Sequence, residues 1–313
     1  MRIQEKCIPC IVSQAIKTAD MVGLKEKDDL LRSVFAYLSK VDFKSSSTPR
    51  LVGEIFSMIK EETGNPDPYK ETRAHYNKMF SERLPELEQE INGSSAPFLE
   101  SIKYAIIGNI IDFNPVHDVS FMDIEACFAK LREEPLEVDD SGLLEREIQR
   151  ADTLLYLGDN CGEICLDKIL VKKIKEINPL CHVFFATRGA AVVNDSVEED
   201  AYFVGMDAYA TIINNGDLSL GTVLHRTSKE FQEIYRKADV VIAKGQANYE
   251  CLSAEEKDLF FLLMTKCKVI ADDIGVPEMK LVCMKSRGYS RGKKPADQGQ
   301  VICDRQEKES DRR

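Results

Sequence analysis

The chain lacks the usual signatures of phosphate handling. It contains no GxxxxGK[ST] and no GxGxxG, which argues against a P-loop NTPase and a dinucleotide-binding dehydrogenase. Histidine is scarce: His75, His117, His182 and His225 stand apart with no metal-ligand spacing, so neither a zincin nor a histidine-based triad finds support. No apolar stretch approaches the roughly 18 residues of a membrane span, and the opening MRIQEKCIPC carries no apolar signal core. Positive charge is in deficit, with a net charge of -11 over 313 residues. No basic face is therefore expected for nucleic acid, and no membrane partner either. A small phosphorylated substrate is still compatible, because a local cluster can outweigh the global field. The expected setting is the cytoplasm, with the ten cysteines reduced. Oligomeric state is not legible.

What is present suffices for a core: 43% of residues are hydrophobic and 30% charged, an ordinary soluble composition. Residues 1 to about 150 read as a helical region packing on a catalytic domain. Asp29–Val41 carries one apolar stripe; Thr48-Pro49 and Asp67-Pro68 look like helix starts, with Pro85 expected to bend or interrupt the second helix. Pro97–Ile111 and Val119–Leu131 read as further helices. From about 151 to 285 the rhythm changes to short β-branched and aromatic runs: Thr153–Leu157, Val183–Thr187, Ala210–Ile213, Val240–Ala243 and Val269–Ala271. Separated by segments of helical length, among them Ser253–Met264, they predict an α/β fold with a Rossmann-like, mostly parallel sheet flanked by helices. Ser196-x-x-Glu199 is a possible capping box, and Lys280–Met284 a possible edge strand. Residues 286–313 hold eight Lys/Arg against five Asp/Glu with no periodicity and read as a disordered polar tail.

Each strand candidate runs directly into polar or small residues: Asp159-Asn160, Arg188-Gly189, Asn214 to Asp217, Lys244-Gly245-Gln246, and Asp272-Asp273. Ligands of open parallel sheets bind outside the strands' carboxyl ends, so these sets should converge. Asp159-Asn160 offers hard oxygen donors suited to Mg²⁺ or Mn²⁺, and the helix start behind them offers N–H groups to an anion. The pair can equally be a turn with an Asx hydrogen bond, and Asp195 can simply support the helix that follows it. Lys244, over a glycine turn, can reach a phosphate as a point charge. Cys7-Ile8-Pro9-Cys10 is a lone CxxC, compatible with a redox pair, half a zinc site or helix packing. Cys161 and Cys165 flank the proposed site, where a softer thiolate ligand is conceivable.

Taken in order, CIPCIVSQAI, GNIIDF (108–113), GDNCGEICLDK (158–168), TRGAAVVNDSVEEDA (187–201), AKGQANYECL (243–252) and FLLMTKCKVIADDIGV (261–276) resemble the metal-dependent damage-control phosphatases, also called the acidic-residue-methyltransferase-like family, in its short cysteine-containing branch. The resemblance spans roughly residues 1–284. It implies a divalent metal, Mn²⁺, Co²⁺ or Ni²⁺ with Mg²⁺ also compatible, held by Asp159, Asn160 and Asp195. It implies Lys266 near the phosphate, and Glu163, Lys244, Gly245, Gln246, Asn248 and Tyr249 at the substrate. Cys161 departs from the family's small residue there, and Lys268 from its common proline. The implied activity is hydrolysis of small phosphorylated metabolites, sugar phosphates or phosphopantetheine-like esters, with either water or Asp159 as nucleophile. The alternatives are an S-adenosylmethionine-dependent protein carboxyl methyltransferase and a non-catalytic metal-binding protein.

Overall fold

A computed structural model describes residues 1–110 and 121–286. Half of GNIIDF and nearly all of the expected tail lie outside the described residues. Six helices come first: α1 (Ile8–Met21), α2 (Asp28–Leu38), α3 (Thr48–Thr63), α4 (Lys70–Gly93), α5 (Pro97–Ile107) and α6 (Phe121–Arg132). Strands and helices then alternate: β1 (Leu136–Asp139), α7 (Ser141–Ile148), β2 (Thr153–Leu157), α8 (Glu163–Ile177), β3 (His182–Thr187), α9 (Glu198–Phe203), β4 (Thr211–Asn214), α10 (Lys229–Lys237), β5 (Val240–Lys244), α11 (Gly245–Leu252), β6 (Phe260–Met264), α12 (Lys268–Ile274) and β7 (Leu281–Lys285).

The seven strands form one sheet in the order β1-β7-β6-β5-β2-β3-β4. All neighbours are parallel except β6 and β7, which run antiparallel. One face packs Leu154, Tyr156, Val240 and Ile242 against α4, α5, α7 and α8. The other packs Leu155, Leu157, Val241 and Ala243 against α10, α11 and α12. A third core unites α1, α2 and α3 and takes in Val192 and Val193 from the loop after β3. With both faces covered, strands read as continuous apolar runs rather than alternating ones.

Several expectations are corrected. Val269–Ala271 is not a strand but lies in α12, which Cys267 precedes and Gly275, at φ 86, closes; a left-handed glycine ends a helix whatever its β-branched content. The strand is the tail of the segment expected as a helix, Ser253–Met264, where FFLLM is buried throughout. Periodicity alone does not separate a short apolar run into helix or strand. Leu281–Lys285 sits between β6 and β1 rather than at an edge. Inside the stretch expected as helical, β1 joins the sheet, so a boundary at 150 cuts through the α/β layer. Pro85 lies within α4 without interrupting it. The capping box is displaced by one: Asp200 Oδ2 accepts from Val197 N at 2.9 Å. Among the described residues, no helix is long and apolar enough to cross a membrane.

Candidate active site

From β2 the chain steps outward to β3 and β4, then returns to place β5 on the other side of β2. That reversal opens a crevice at the strands' carboxyl ends, where ligands of such sheets bind. Asp159 follows β2 there, and Gly245 follows β5. Gly245 has φ +76, and a Cβ on it would fall 1.8 Å from Asp159 Oδ2. Only glycine lets α11 start so close to the carboxylate.

The loop after β3 brings the third expected ligand. Asn160 and Asp195 form an isolated antiparallel bridge, which holds two Cα atoms within about 5.5 Å. Cys161 N donates to Asn194 O at 2.9 Å, and Ser196 N donates to Asp159 O at 2.8 Å. Val193, two residues before Asp195, has φ 46, a strained conformation for a β-branched residue. Its burial in the α1–α3 core holds it there. Asp159, Asn160 and Asp195 thus share the floor of a cleft of about 240 Å³, walled by Cys10 and Gln14 of α1, Thr48 and Val52 of α3, Leu220 and Ala247.

Beneath the floor lies a chain of buried polar contacts. Arg188 donates from Nη2 to Asp159 Oδ1 at 3.1 Å and from Nε to Asp195 Oδ2 at 2.5 Å. Asn109 Nδ2 donates to Asp159 Oδ2 at 2.7 Å and to Glu163 Oε2 at 2.8 Å. Asn160 Nδ2 donates to the same two oxygens, each at 3.1 Å, which leaves Oδ1 as its donor to a cation. Lys244 Nζ binds Glu163 and Asp167, each at 2.5 Å, and Ala105 O at 2.8 Å. Tyr156 OH donates to Asp167 Oδ1 at 2.7 Å.

Burial raises the Asp159 carboxyl well above its ordinary range, and the charges of Asp195 and Glu163 raise it further against Arg188 and Asn109. Asp195 is also raised by burial, with Arg188 opposing. Burial pushes Asp167 up to about 7, Lys244 opposing and Glu163 adding. For Lys244, burial works against the charged form, but Asp167 and Glu163 outweigh it and the net shift is upward. Four acids thus face two cations in this network. At the cleft two acids, Asp159 and Asp195, stand against one guanidinium, and with the Asn160 amide oxygen they are the hard oxygen donors that suit a divalent cation. Among the described residues no ready-made group of three His, Cys, Asp or Glu exists; the candidate set is two carboxylates and an amide.

The structure does not bring every expected residue to the cleft. Glu163 and Lys244 are fully buried on the α5–α8 side, so Lys244 is not a phosphate contact. Asn248 staples α11 to the β2 end, donating to Gly158 O at 3.2 Å and Lys244 O at 2.8 Å. Tyr249 is buried and donates to Asp273 Oδ2 at 2.7 Å, so Asp272-Asp273 is no strand-end set. Gln246 Oε1 accepts from Lys266 N at 2.7 Å, which places Lys266, half-buried, at the end of β6. The N–H groups starting α8 are taken: Gly162 N donates to Asn77 Oδ1 at 2.7 Å and Cys161 N to Asn194 O. They offer no anion cradle. Burial pushes the Cys161 thiol upward and Cys165 to about 12, so neither presents a thiolate. Sequence reasoning assigned no role to Arg188 or Asn109, although Arg188 stands at a strand end and Asn109 in GNIIDF.

The fold agrees with three comparisons. The family model described as damage-control phosphatase ARMT1-like domain matches residues 3–282. A damage-control phosphatase of Pyrococcus horikoshii is 33% identical over 294 residues, covering 92% of this chain and 99% of that protein. A damage-control phosphatase of Archaeoglobus fulgidus is 31% identical, with coverage of 88% and 96%. The crystal structure of a DUF89 family protein from Pyrococcus horikoshii superposes with a TM-score of 0.81 at 32% identity, over 92% of this chain and all of that one. With its strand ends gathered at one crevice and its length matched almost throughout, the chain belongs to the damage-control phosphatase ARMT1-like domain family.

Proposed function

We propose that the protein is a divalent-metal-dependent phosphomonoesterase of small phosphorylated metabolites, sugar phosphates or phosphopantetheine-like esters. The family and its relatives named damage-control phosphatases support the hydrolase class. The observation that carries the reading is that Asp159, Asn160 and Asp195, supplied by two separate loops, share one cleft floor at the sheet's switch point. These three residues would hold the cation, with Mn²⁺, Co²⁺ or Ni²⁺ preferred and Mg²⁺ accepted. When bound, such a cation neutralises phosphoryl oxygens and lowers the pKa of a water.

The chain's own residues do the rest. Gln14, Thr48 and the apolar side chains of Val52 and Leu220 enclose the leaving group and limit water. Lys266, at the end of β6, is not among the residues lining this cleft. Arg188 and Asn109 hold the aspartate in place from behind. The test is inorganic phosphate release from a panel of phosphorylated metabolites with each of the four metals and with chelator. Release should require the divalent cation and vanish in Asp195→Asn. Silence toward every ester with every metal refutes the proposal.

A further inference from the structure

We infer that Arg188 is the positioning residue of the cation site: its guanidinium clamps one oxygen of Asp159 and one of Asp195 from behind, fixing the spacing of two carboxylates that would otherwise repel. The inference rests on the metal-dependent reading above.

The backbone pins Arg188 from both sides. Its N–H donates to Ser196 O at 3.1 Å, and it bridges Val197 in parallel. Next to it, Gly189 lies so tightly against the 216–217 backbone that a Cβ would sit 2.5 Å from Asp217 N. The side chain is 1% exposed and is not part of the cleft wall, so it acts through the aspartates and touches no substrate. Its grip uses Asp159 Oδ1 and Asp195 Oδ2, while Asn109 and Asn160 meet the other Asp159 oxygen. A planar fork can hold two carboxylates in register in this way; a lysine's single ammonium cannot fix both. Two acids brought together without such a partner repel, and their side chains would spread from the spacing that a shared cation needs.

Arg73 supplies an internal control. It is equally buried and also joins two acids, Asp67 and Asp200, at 2.7 and 2.9 Å, but none of the three lines the cleft.

The experiment is Mn²⁺ titration of the full chain by calorimetry, with Mn²⁺ electron paramagnetic resonance as a second readout, on wild type, Arg188→Lys, Arg188→Gln and Arg73→Lys. Loss of an outer residue that orients metal ligands weakens affinity about 10–100-fold. That loss is expected for both Arg188 variants, including the one that keeps the charge, with an altered Mn²⁺ spectrum. Arg73→Lys should lower the melting temperature and leave Mn²⁺ affinity near wild type. Unchanged or tighter binding in Arg188→Lys overturns the inference, because the guanidinium would then be a mere occupant of the metal-free site. An equal loss in Arg73→Lys overturns it too, as a general loosening of the core. A wild type that takes up no Mn²⁺ sinks the parent reading, and this one with it.

Discussion

Two ion networks meet at the end of β2, built from the same kinds of residue but put to different use. One joins Arg188 to Asp159 and Asp195 under the cleft; the other joins Lys244 to Glu163, Asp167 and Tyr156, sealed between the sheet and α5 and α8. Each sets one cation against two carboxylates. The difference is access. The first exposes Asp159 and Asp195 to a cavity, so its missing positive charge can arrive from solution. The second is fully buried among the described residues, and its imbalance is met by raising Asp167. Asn109 donates to one acid of each network and is the hinge of the comparison.

Breaking the sealed network should have the largest effect on stability. Lys244→Met leaves Glu163 and Asp167 buried without a cation, and removing one partner of such a pair costs about 3–5 kcal/mol. Chemical denaturation should register this loss with or without Mn²⁺. Asp159→Asn should do the reverse. Burial and the charges of Asp195 and Glu163 disfavour its ionised form, and the relief of that charge in Asn offsets the hydrogen bond lost from Arg188 or Asn109, so the metal-free melting temperature should move much less than in Lys244→Met. Turnover should fall by about 10²–10³, the scale of losing one electrostatic donor to the transition state. If both variants lost stability and activity together, the two networks would be one.

The sequence revealed much of this division, though not all. The apolar runs of β2 and β5, each ending in polar or small residues, mark the site in the primary structure, whereas the pairing of Asp195 with Asn160 depends on a backbone bridge that no local pattern encodes. Lys244 was misplaced for a reason visible in retrospect. Alternate strand residues share a face, and Lys244 has the parity of Val240 and Ile242, which pack on the α5–α8 side. Its side chain was bound to go down into that core rather than up to the crevice. β1 escaped notice because LEVD alternates half-buried and exposed residues over only four positions. β6 and α12 exchange places because the β-branched run at Val269-Ile270 is closed as a helix by Gly275, while the apolar FFLLM run pairs as a strand.

An intermediate effect should come from the hinge. Asn109→Ala deletes two hydrogen bonds to buried carboxylates, each bond to a charged group contributing about 1.5–3 kcal/mol. Because Asn160 already donates to the same oxygens, the loss should lie at the low end. It should appear both as a lower melting temperature and as a higher metal requirement for phosphate release. An effect on only one of the two would assign Asn109 to a single network.

The smallest signal is a slope, and it sharpens the comparison most. A carboxyl whose folded pKa lies above its unfolded value binds more protons in the native state, so its contribution to stability is full below the unfolded value and fades as pH rises through the folded one. For Asp167 that window runs from about 4 to about 7. The chelator-treated protein should therefore lose melting temperature between about pH 4 and 7, by about 1.5 °C for each kcal/mol at the entropy of unfolding expected for this length. Asp159 adds to the same slope from the cleft side, and there a bound cation can take the proton's place. Saturating Mn²⁺ should flatten the Asp159 share and leave the Asp167 share, whereas Asp167→Asn should do the opposite. A slope that Mn²⁺ removes entirely would show that the lower network also senses the cation, through Asn109 and Glu163, and that the seal between the two is electrostatically open.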